Sequence, residues 1–424
     1  MKVLITGLNF TPELTGIGKY SGEMAEWLSA SGVDVRAVVA PPYYPGWSVS
    51  AGYRGVRYCA EQVGGARVFR CPLYVPSRPS GVRRIVHLLT FALSSAPVLL
   101  WQAIRWRPDV ILVVEPPLVC TPVAWLAARL SGAKLWLHVQ DFEVDAAFDL
   151  GMLRSGWARR TLLALESALM RRCDRVSTIS NRMLERVIAK GVAPGRSQLF
   201  PNWSDFERIR PLGSAATTLR AELGIAAEAT VLMYSGTFAT KQGLGMLVEM
   251  MRMLGRSREE VVLLMCGAGP EKSALEAAAA DLPNVVFAPL QPLQRLNELM
   301  NTADIHLLPQ RADAEDLVMP SKVTTMLASG RVVIAGARPV SEVGRLVARV
   351  GIVVPPGDAR AMSEAVEALI ADPERRHELG MAGRALAREC WDINAVLSEA
   401  FGDRSMATLG VDSAVPSAAP CVSS

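Results

Sequence analysis

Short, continuous apolar runs recur along this 424-residue chain, each followed by a stretch of helical periodicity, in two successive sets. Runs that are apolar throughout, instead of at every second residue, mark strands buried on both faces. Strands of that kind separated by helices build parallel sheets covered on both sides. The first set falls at residues 2–7, 33–40, 66–71, 110–114, 134–139, 175–179 and 198–200. The second falls at 231–234, 261–266, 285–288, 305–308, 332–335 and 352–354. The pattern predicts an α/β protein of two Rossmann-like, doubly wound parallel-sheet domains facing an interdomain cleft. Their expected spans are residues 1–204 and 205–384, with Pro201-Asn202-Trp203-Ser204 opening the linker. Half of the chain is apolar, which gives each domain a full core. After residue 403 it turns rich in Ala, Ser and Pro, so residues 403–424 are expected to be a disordered tail.

Charge divides with the domains. Residues 1–204 hold 24 Lys and Arg against 14 Asp and Glu, a balance of +10, and the remainder holds 21 against 27, a balance of −6. The overall +4 is too mild to imply nucleic acid, whereas a basic first half suits an anionic surface or acceptor. Seven cysteines, at 59, 71, 120, 173, 266, 390 and 421, show no ligand spacing and read as reduced thiols of a cytoplasmic protein. Met1-Lys2 leads straight into the first strand, so no signal peptide is expected. Four scattered histidines without a metalloprotease-type repeat predict no protein-held metal.

Two stretches of the first half stand apart. Residues 41–79 are rich in Pro, Gly and Tyr, and Tyr43, Tyr44, Trp47, Tyr53 and Tyr58 favour a packed loop that a sugar or lipid acceptor could use. Residues 85–104 carry no charge and are edged by Arg83, Arg84, Arg105 and Arg107. That length spans a bilayer, but His87, Ser94, Ser95, Pro97 and Gln102 dilute it. An interior or interfacial helix beside an anionic leaflet is favoured over a true span.

The chemistry concentrates at strand ends. Gly16-Ile17-Gly18 precedes a helix, where it serves either as a tight turn or as backbone approaching a phosphate. In the second half, Ser235-Gly236-Thr237, Gly267-Ala268-Gly269-Pro270 and the turn Pro320-Ser321-Lys322 all follow strands. Glycine-exposed amides, a helix start and the cations Lys241 and Lys322 are what a diphosphate leaving group requires. In the first half, His138 ends a strand, with Asp141, Glu143 and Asp145 just beyond on a loop facing the cleft. The His reads as functional and the carboxylates as acceptor-side groups, with metal ligation a minor alternative.

With these residues placed, the chain resembles the GT4 retaining glycosyltransferases of GT-B fold, and among them the WcaI-type enzymes of colanic acid and exopolysaccharide biosynthesis. The resemblance rests on PELTGIGKYSGEM, APPYYPGW, HVQDFEVDA, FPNWS, YSGTFATKQGL and the PSK turn before LASGRVVIA, in that order. It implies an acceptor-binding first domain, a nucleotide-sugar-binding second domain, and a last helix (residues 385–402) that returns to the first. It places Gly16 and Gly18 over the donor phosphates, His138 by the transferred sugar, and Lys322 on the diphosphate or sugar. Ser235, Gly236, Thr237, Gly267, Gly269, Pro320 and Ser321 complete the implied donor site.

The family pattern is not matched throughout. Thr237 stands where an Arg is usual and Gln242 where a Lys is, with Lys241 one residue away. Leu317 and Thr325 replace the usual Glu pair, with Asp316 beside the first. The resemblance suggests GDP-fucose as donor, a sugar on undecaprenyl diphosphate as acceptor, no cofactor and no metal. It also suggests peripheral attachment to the inner face of the bacterial cytoplasmic membrane. Two alternatives share the fold: a nucleotide-sugar epimerase of the UDP-N-acetylglucosamine 2-epimerase kind, and a non-catalytic nucleotide-binding scaffold.

Overall fold

A computed structural model describes residues 1–13, 16–77, 81–116, 118–142, 156–213, 218–255, 257, 260–311 and 321–415, apart from the side chains of 156–159, Lys241, Leu293 and Ser321. The chain divides into two units, Met1–Asn202 with the segment from Asn394 onward, and Trp203–Ile393. Each is a parallel sheet between helices.

In the first unit the strands are β1 (Lys2–Gly7), β2 (Asp34–Val39), β3 (Cys59–Val63), β4 (Ala66–Arg70), β5 (Val110–Glu115), β6 (Lys134–Val139), β7 (Arg175–Thr178) and β8 (Ser197–Leu199). Their spatial order is β3-β4-β2-β1-β5-β6-β7-β8. All pairs are parallel except β3 with β4. Val3 lies in register with Val35 on one side and Val110 on the other, so the direction of strand addition reverses at β1. Ligands of open α/β sheets bind beyond the carboxyl ends of strands at such a reversal. β5 is buried at every residue, which is why its sequence is apolar without alternation.

The second unit holds β9 (Thr230–Thr237), β10 (Val261–Ala268), β11 (Val285–Ala288), β12 (Ile305–Leu308), β13 (Val332–Gly336) and β14 (Ile352–Val354). Their order is β11-β10-β9-β12-β13-β14, all parallel, with the reversal at β9. Side chains of Leu232, Tyr234, Leu263, Met265, Ile305, Leu307, Val332 and Ile334 form one core layer with the helix Gly245–Leu254. Val231, Met233, Val262 and Leu264 point to the opposite face, against Leu299 and Met300.

The apolar stretch at 85–104 belongs to a longer helix, Gly81–Trp106, which continues through Pro97. Its spacing explains the burial. His87, Phe91, Ser95, Leu99, Gln102 and Trp106 form one row at intervals of three or four residues and are buried. The helix is pinned to the unit: Arg36 donates to Gln102 Oε1 at 2.8 Å, Trp106 Nε1 to Asp34 at 2.9 Å, and Ser94, beside the buried row, donates Oγ–H to the Pro72 carbonyl at 2.5 Å. The other row, Val82, Ile85, Leu89, Leu93, Trp101 and Ile104, is apolar and exposed. Length and composition alone would let this helix cross a membrane, yet one face of it is part of the first unit's core.

The chain end differs from the expectation in two ways. The helix Pro373–Trp391 stays with the second unit, where Arg384 donates to the carbonyls of Phe206 (3.1 Å), Ile209 (2.7 Å) and Ala328. The return to the first unit therefore begins at Asn394 and not near 385. Residues 403–409 also form a helix, Asp403–Leu409, where a disordered tail was expected. Arg175 holds it by donating to Ser405 Oγ (2.8 Å), the Ser405 carbonyl (2.5 Å) and Thr408 Oγ1 (2.5 Å), while Phe401 packs 5.0 Å from Trp136. Composition could not reveal these tertiary partners, which lie more than two hundred residues earlier in the chain.

Candidate functional site

In the second unit three loops meet at the carboxyl edge of the sheet. β9 and β10 run in register through Ser235↔Cys266, Gly236↔Gly267 and Thr237↔Ala268. The approach is so close that a Cβ on Gly267 would overlap the Gly236 carbonyl oxygen, and one on Gly269 would overlap the Phe238 backbone. Gly236 has φ 140°, and a Cβ there would overlap Nζ and Cε of Lys322. Lys322, in the first turn of the helix Ser321–Ala328, is thus laid across the glycine of the β9 loop.

Its ammonium is fixed from below. Lys322 Nζ donates to Tyr234 Oη at 3.0 Å and sits 4.7 Å from the centre of that ring. Tyr234 Oη in turn donates to the Thr237 carbonyl at 2.8 Å. Burial raises the Tyr234 pKa, so the phenol stays neutral and does not cancel the lysine charge. A helix-opening cation held beside glycine backbone is suited to an anionic group with several oxygens.

The other residues of this unit expected to hold the donor lie at the same sheet edge or outside the described residues. Ser235 and Gly236 are partly buried and Thr237 is exposed, all on the β9 end. Thr325 is half-buried, one turn after Lys322 on the same helix. Lys241 lies in the turn Thr240–Gln242, which is tied to the β10 loop by Thr240 Oγ1 donating to Glu271 at 2.8 Å. The Lys241 and Ser321 side chains, and Asp316 and Pro320 entirely, lie outside the described residues.

In the first unit, Gly16 caps the helix Ile17–Ala30 with φ 62°, and Gly18 is buried against Glu13. Sequence reasoning passed over Glu13, which organises this edge. It is 5% exposed, and its carboxylate accepts from the backbone N–H groups of Tyr43 and Tyr44 (both 2.9 Å) and from Asn9 Nδ2 (2.8 Å). Burial raises its pKa despite those donors. Substituting Glu13→Gln swaps an acceptor-only group for one bearing an NH2. The expected loss is about 2 kcal/mol of unfolding free energy, measured by denaturant titration.

His138 ends β6, but it does not present a titrating imidazole. It is 3% exposed; Nδ1 lies 2.9 Å from Ser177 Oγ, and Nε2 lies 3.0 Å from Gln140 Nε2. Gln140 and Asn202 exchange amide hydrogen bonds at 3.0 and 3.1 Å, and Trp136 Nε1 donates to Ser177 Oγ at 2.7 Å. Gln140 Nε2 can only donate, which leaves the proton on Nδ1. Burial pushes the His138 pKa down to about 3. The cleft-facing loop expected from sequence did not anticipate this enclosure, although Trp136 two residues earlier was a signal of it. Asp141 is exposed, while Glu143 and Asp145 lie outside the described residues.

The sign of the consequence follows from linkage. The unfolded chain protonates His138 near its ordinary value of 6.5, and the folded chain only near 3. Between those values the unfolded state binds more protons, so the neutral His138 contributes stability above pH 6.5 that is lost as pH falls toward 3. His306 is lowered to about 3 as well and adds in the same direction. NMR titration from about pH 8 to pH 5 is expected to leave both imidazole resonances in their neutral positions.

Comparison with known proteins fits this arrangement. The family described as Glycosyl transferase 4-like domain matches residues 15–203, and Glycosyl transferases group 1 matches residues 229–372. Over 379 residues the chain is 42% identical to WcaI of Escherichia coli K12, named as a colanic acid biosynthesis glycosyl transferase, covering 88% of this chain and 91% of that one. The chain belongs to the GT4 glycosyltransferases. A second relative of this glycosyltransferase is the GDP-mannose-dependent phosphatidylinositol monomannoside mannosyltransferase of Mycolicibacterium smegmatis. It is 27% identical over 246 residues, covering 56% of this chain and 63% of that one. Among solved structures, sucrose-phosphate synthase from Thermosynechococcus elongatus superposes with a TM-score of 0.74 at 19% identity, covering 97% and 100% of the two chains. That likeness is one of fold, and the fold is GT-B. Membership of this family decides for glycosyl transfer over epimerisation.

Proposed function

We propose that this glycosyltransferase moves a sugar, fucose from GDP-fucose in the reading we favour, onto a saccharide carried by undecaprenyl diphosphate, in assembly of a colanic-acid-like exopolysaccharide. The observation that carries the reading is Lys322 laid across Gly236 beside the Gly267 and Gly269 loop, a cation and close-approach backbone at one sheet edge. The named role of WcaI supports the polymer class, and the GDP-mannose dependence of the mycolicibacterial relative supports a guanine donor.

Transfer proceeds with retention and without cofactor or metal. Lys322, Lys241 and the loop amides stabilise the departing diphosphate as the sugar gains oxocarbenium character. The acceptor hydroxyl attacks on the face from which the diphosphate leaves, and a donor phosphate oxygen takes its proton. Neutral His138 does not serve as the base; it orders the β6 edge. Attachment at the inner face of the cytoplasmic membrane uses the exposed row Ile85, Leu89, Leu93 and Ile104 with Arg83, Arg84 and Arg105.

The test incubates protein with GDP-fucose, GDP-mannose or UDP-glucose, each with and without bacterial lipid extract. Label entering the lipid fraction from GDP-fucose, only when extract is present, is the expected result. Transfer from UDP-glucose alone would overturn the donor, and transfer to water-soluble saccharide alone would overturn the acceptor.

A further inference from the structure

The aromatic loop after β2 holds a cluster that glycosyl transfer as described so far does not use. Trp47 has φ 49°, a left-handed conformation rare for a bulky side chain, and its ring is partly exposed. The ring packs 5.6 Å from Tyr43 and 5.4 Å from His87, and Tyr43 lies 4.8 Å from His87. Arg84, exposed in the first turns of the helix Gly81–Trp106, stands 5.6 Å over the same indole and forms no ion pair among the described residues.

His87 supplies a further observation. It is 1% exposed, and Nδ1 lies 2.6 Å from the Tyr74 carbonyl oxygen. A carbonyl only accepts, so the proton is on Nδ1 and Nε2 presents a lone pair. That Nε2 is buried and has no hydrogen-bond partner among the described residues. A lone pair buried without a donor is costly, and such orphans are few in folded proteins. A cluster serving only to pack has no need of a left-handed tryptophan or of an acceptor left without a donor.

We propose that Trp47, His87 and Arg84 form a saccharide-phosphate subsite, taking the sugar ring and the adjoining anionic group of the acceptor. Trp47 offers a platform for the C–H face of a pyranose and Arg84 pairs with phosphate, while His87 Nε2, enclosed beside the Trp47 ring, accepts a sugar hydroxyl only as that partly exposed ring gives way to the ligand. The subsite is fastened to the edge where ligands of such sheets bind. Tyr43 and Tyr44 donate their backbone N–H groups to Glu13, which packs against Gly18 beyond β1. Burial lowers the His87 pKa, which keeps the lone pair available at neutral pH. That the occupant is the acceptor rests on the transfer reading; the chemistry of the subsite does not.

The experiment titrates the full-length, 15N-histidine-labelled protein with α-glucose 1-phosphate, and separately with methyl α-glucoside and with inorganic phosphate. His87→Leu identifies the resonance. Glucose 1-phosphate is expected to shift the His87 Nε2 signal, with Trp47→Ala and Arg84→Gln each weakening the apparent affinity by about tenfold. Arg84→Gln alters an exposed side chain, so it reads the subsite even where Trp47→Ala fails to fold. No shift at tens of millimolar overturns the subsite. An unchanged titration in Arg84→Gln, or a full shift from inorganic phosphate alone, does the same. No donor or turnover enters the measurement, so a protein that transfers sugar yet fails this titration loses only the subsite.

Discussion

Replacing Lys322 with alanine is expected to lower turnover at saturating donor by about a hundredfold to a thousandfold, the cost typical of removing one preorganised electrostatic donor. Stability should change far less. The described contacts removed include a hydrogen bond to a neutral phenol at 3.0 Å and a cation over its ring at 4.7 Å, worth about 1–2 kcal/mol together. Arginine at this position should not restore turnover. The planar guanidinium is wider than an ammonium, and Gly236 already touches the lysine closely. Stopped assays at saturating donor, with thermal unfolding in parallel, separate the two quantities. Unchanged turnover would remove Lys322 from the donor site.

Gly236→Ala is expected to cost turnover on the same scale through a different cause. At φ 140° any side chain is strained, and the new Cβ overlaps the lysine ammonium and displaces it. Backbone strain of this kind costs about 1–3 kcal/mol, so unfolding should reveal a real loss of stability. The pair of substitutions gives a sharper reading. Alanine at 322 removes the atoms that the new Cβ overlaps, so the double variant should be less destabilised than the sum of the singles. Strict additivity would mean that Lys322 does not lie across Gly236 in solution.

The parallel strands were legible in sequence because burial on both faces leaves unbroken apolar runs, as in β5 and β13. The glycine loops were legible because strand ends and glycines coincide. β3 was not, since an exposed edge strand reading CAEQV has neither an apolar run nor clean alternation. The helix Gly81–Trp106 was legible over residues 85–104, and only its ends were missed, where Arg83, Arg84 and Arg105 break the uncharged run; Pro97 removes one backbone donor inside it. Here the carbonyl four residues earlier belongs to Leu93, 75% exposed, where water can satisfy it. His138 and Glu13 depended on partners distant in sequence, Ser177 and, through Gln140, Asn202 for one and the Tyr43 backbone for the other. No local spacing encodes such contacts.

Loops joining at the β9 and β10 ends form the site only if they grip a diphosphate. Calorimetric binding of GDP against GMP, and of UDP against UMP, to the wild type and to Lys322→Ala tests this without knowledge of sugar or acceptor. The account expects the diphosphate of the preferred base to bind about ten to a hundred times more tightly than its monophosphate, and expects Lys322→Ala to erase most of that difference. Equal affinities for mono- and diphosphate, or a preference that survives in Lys322→Ala, would contradict it.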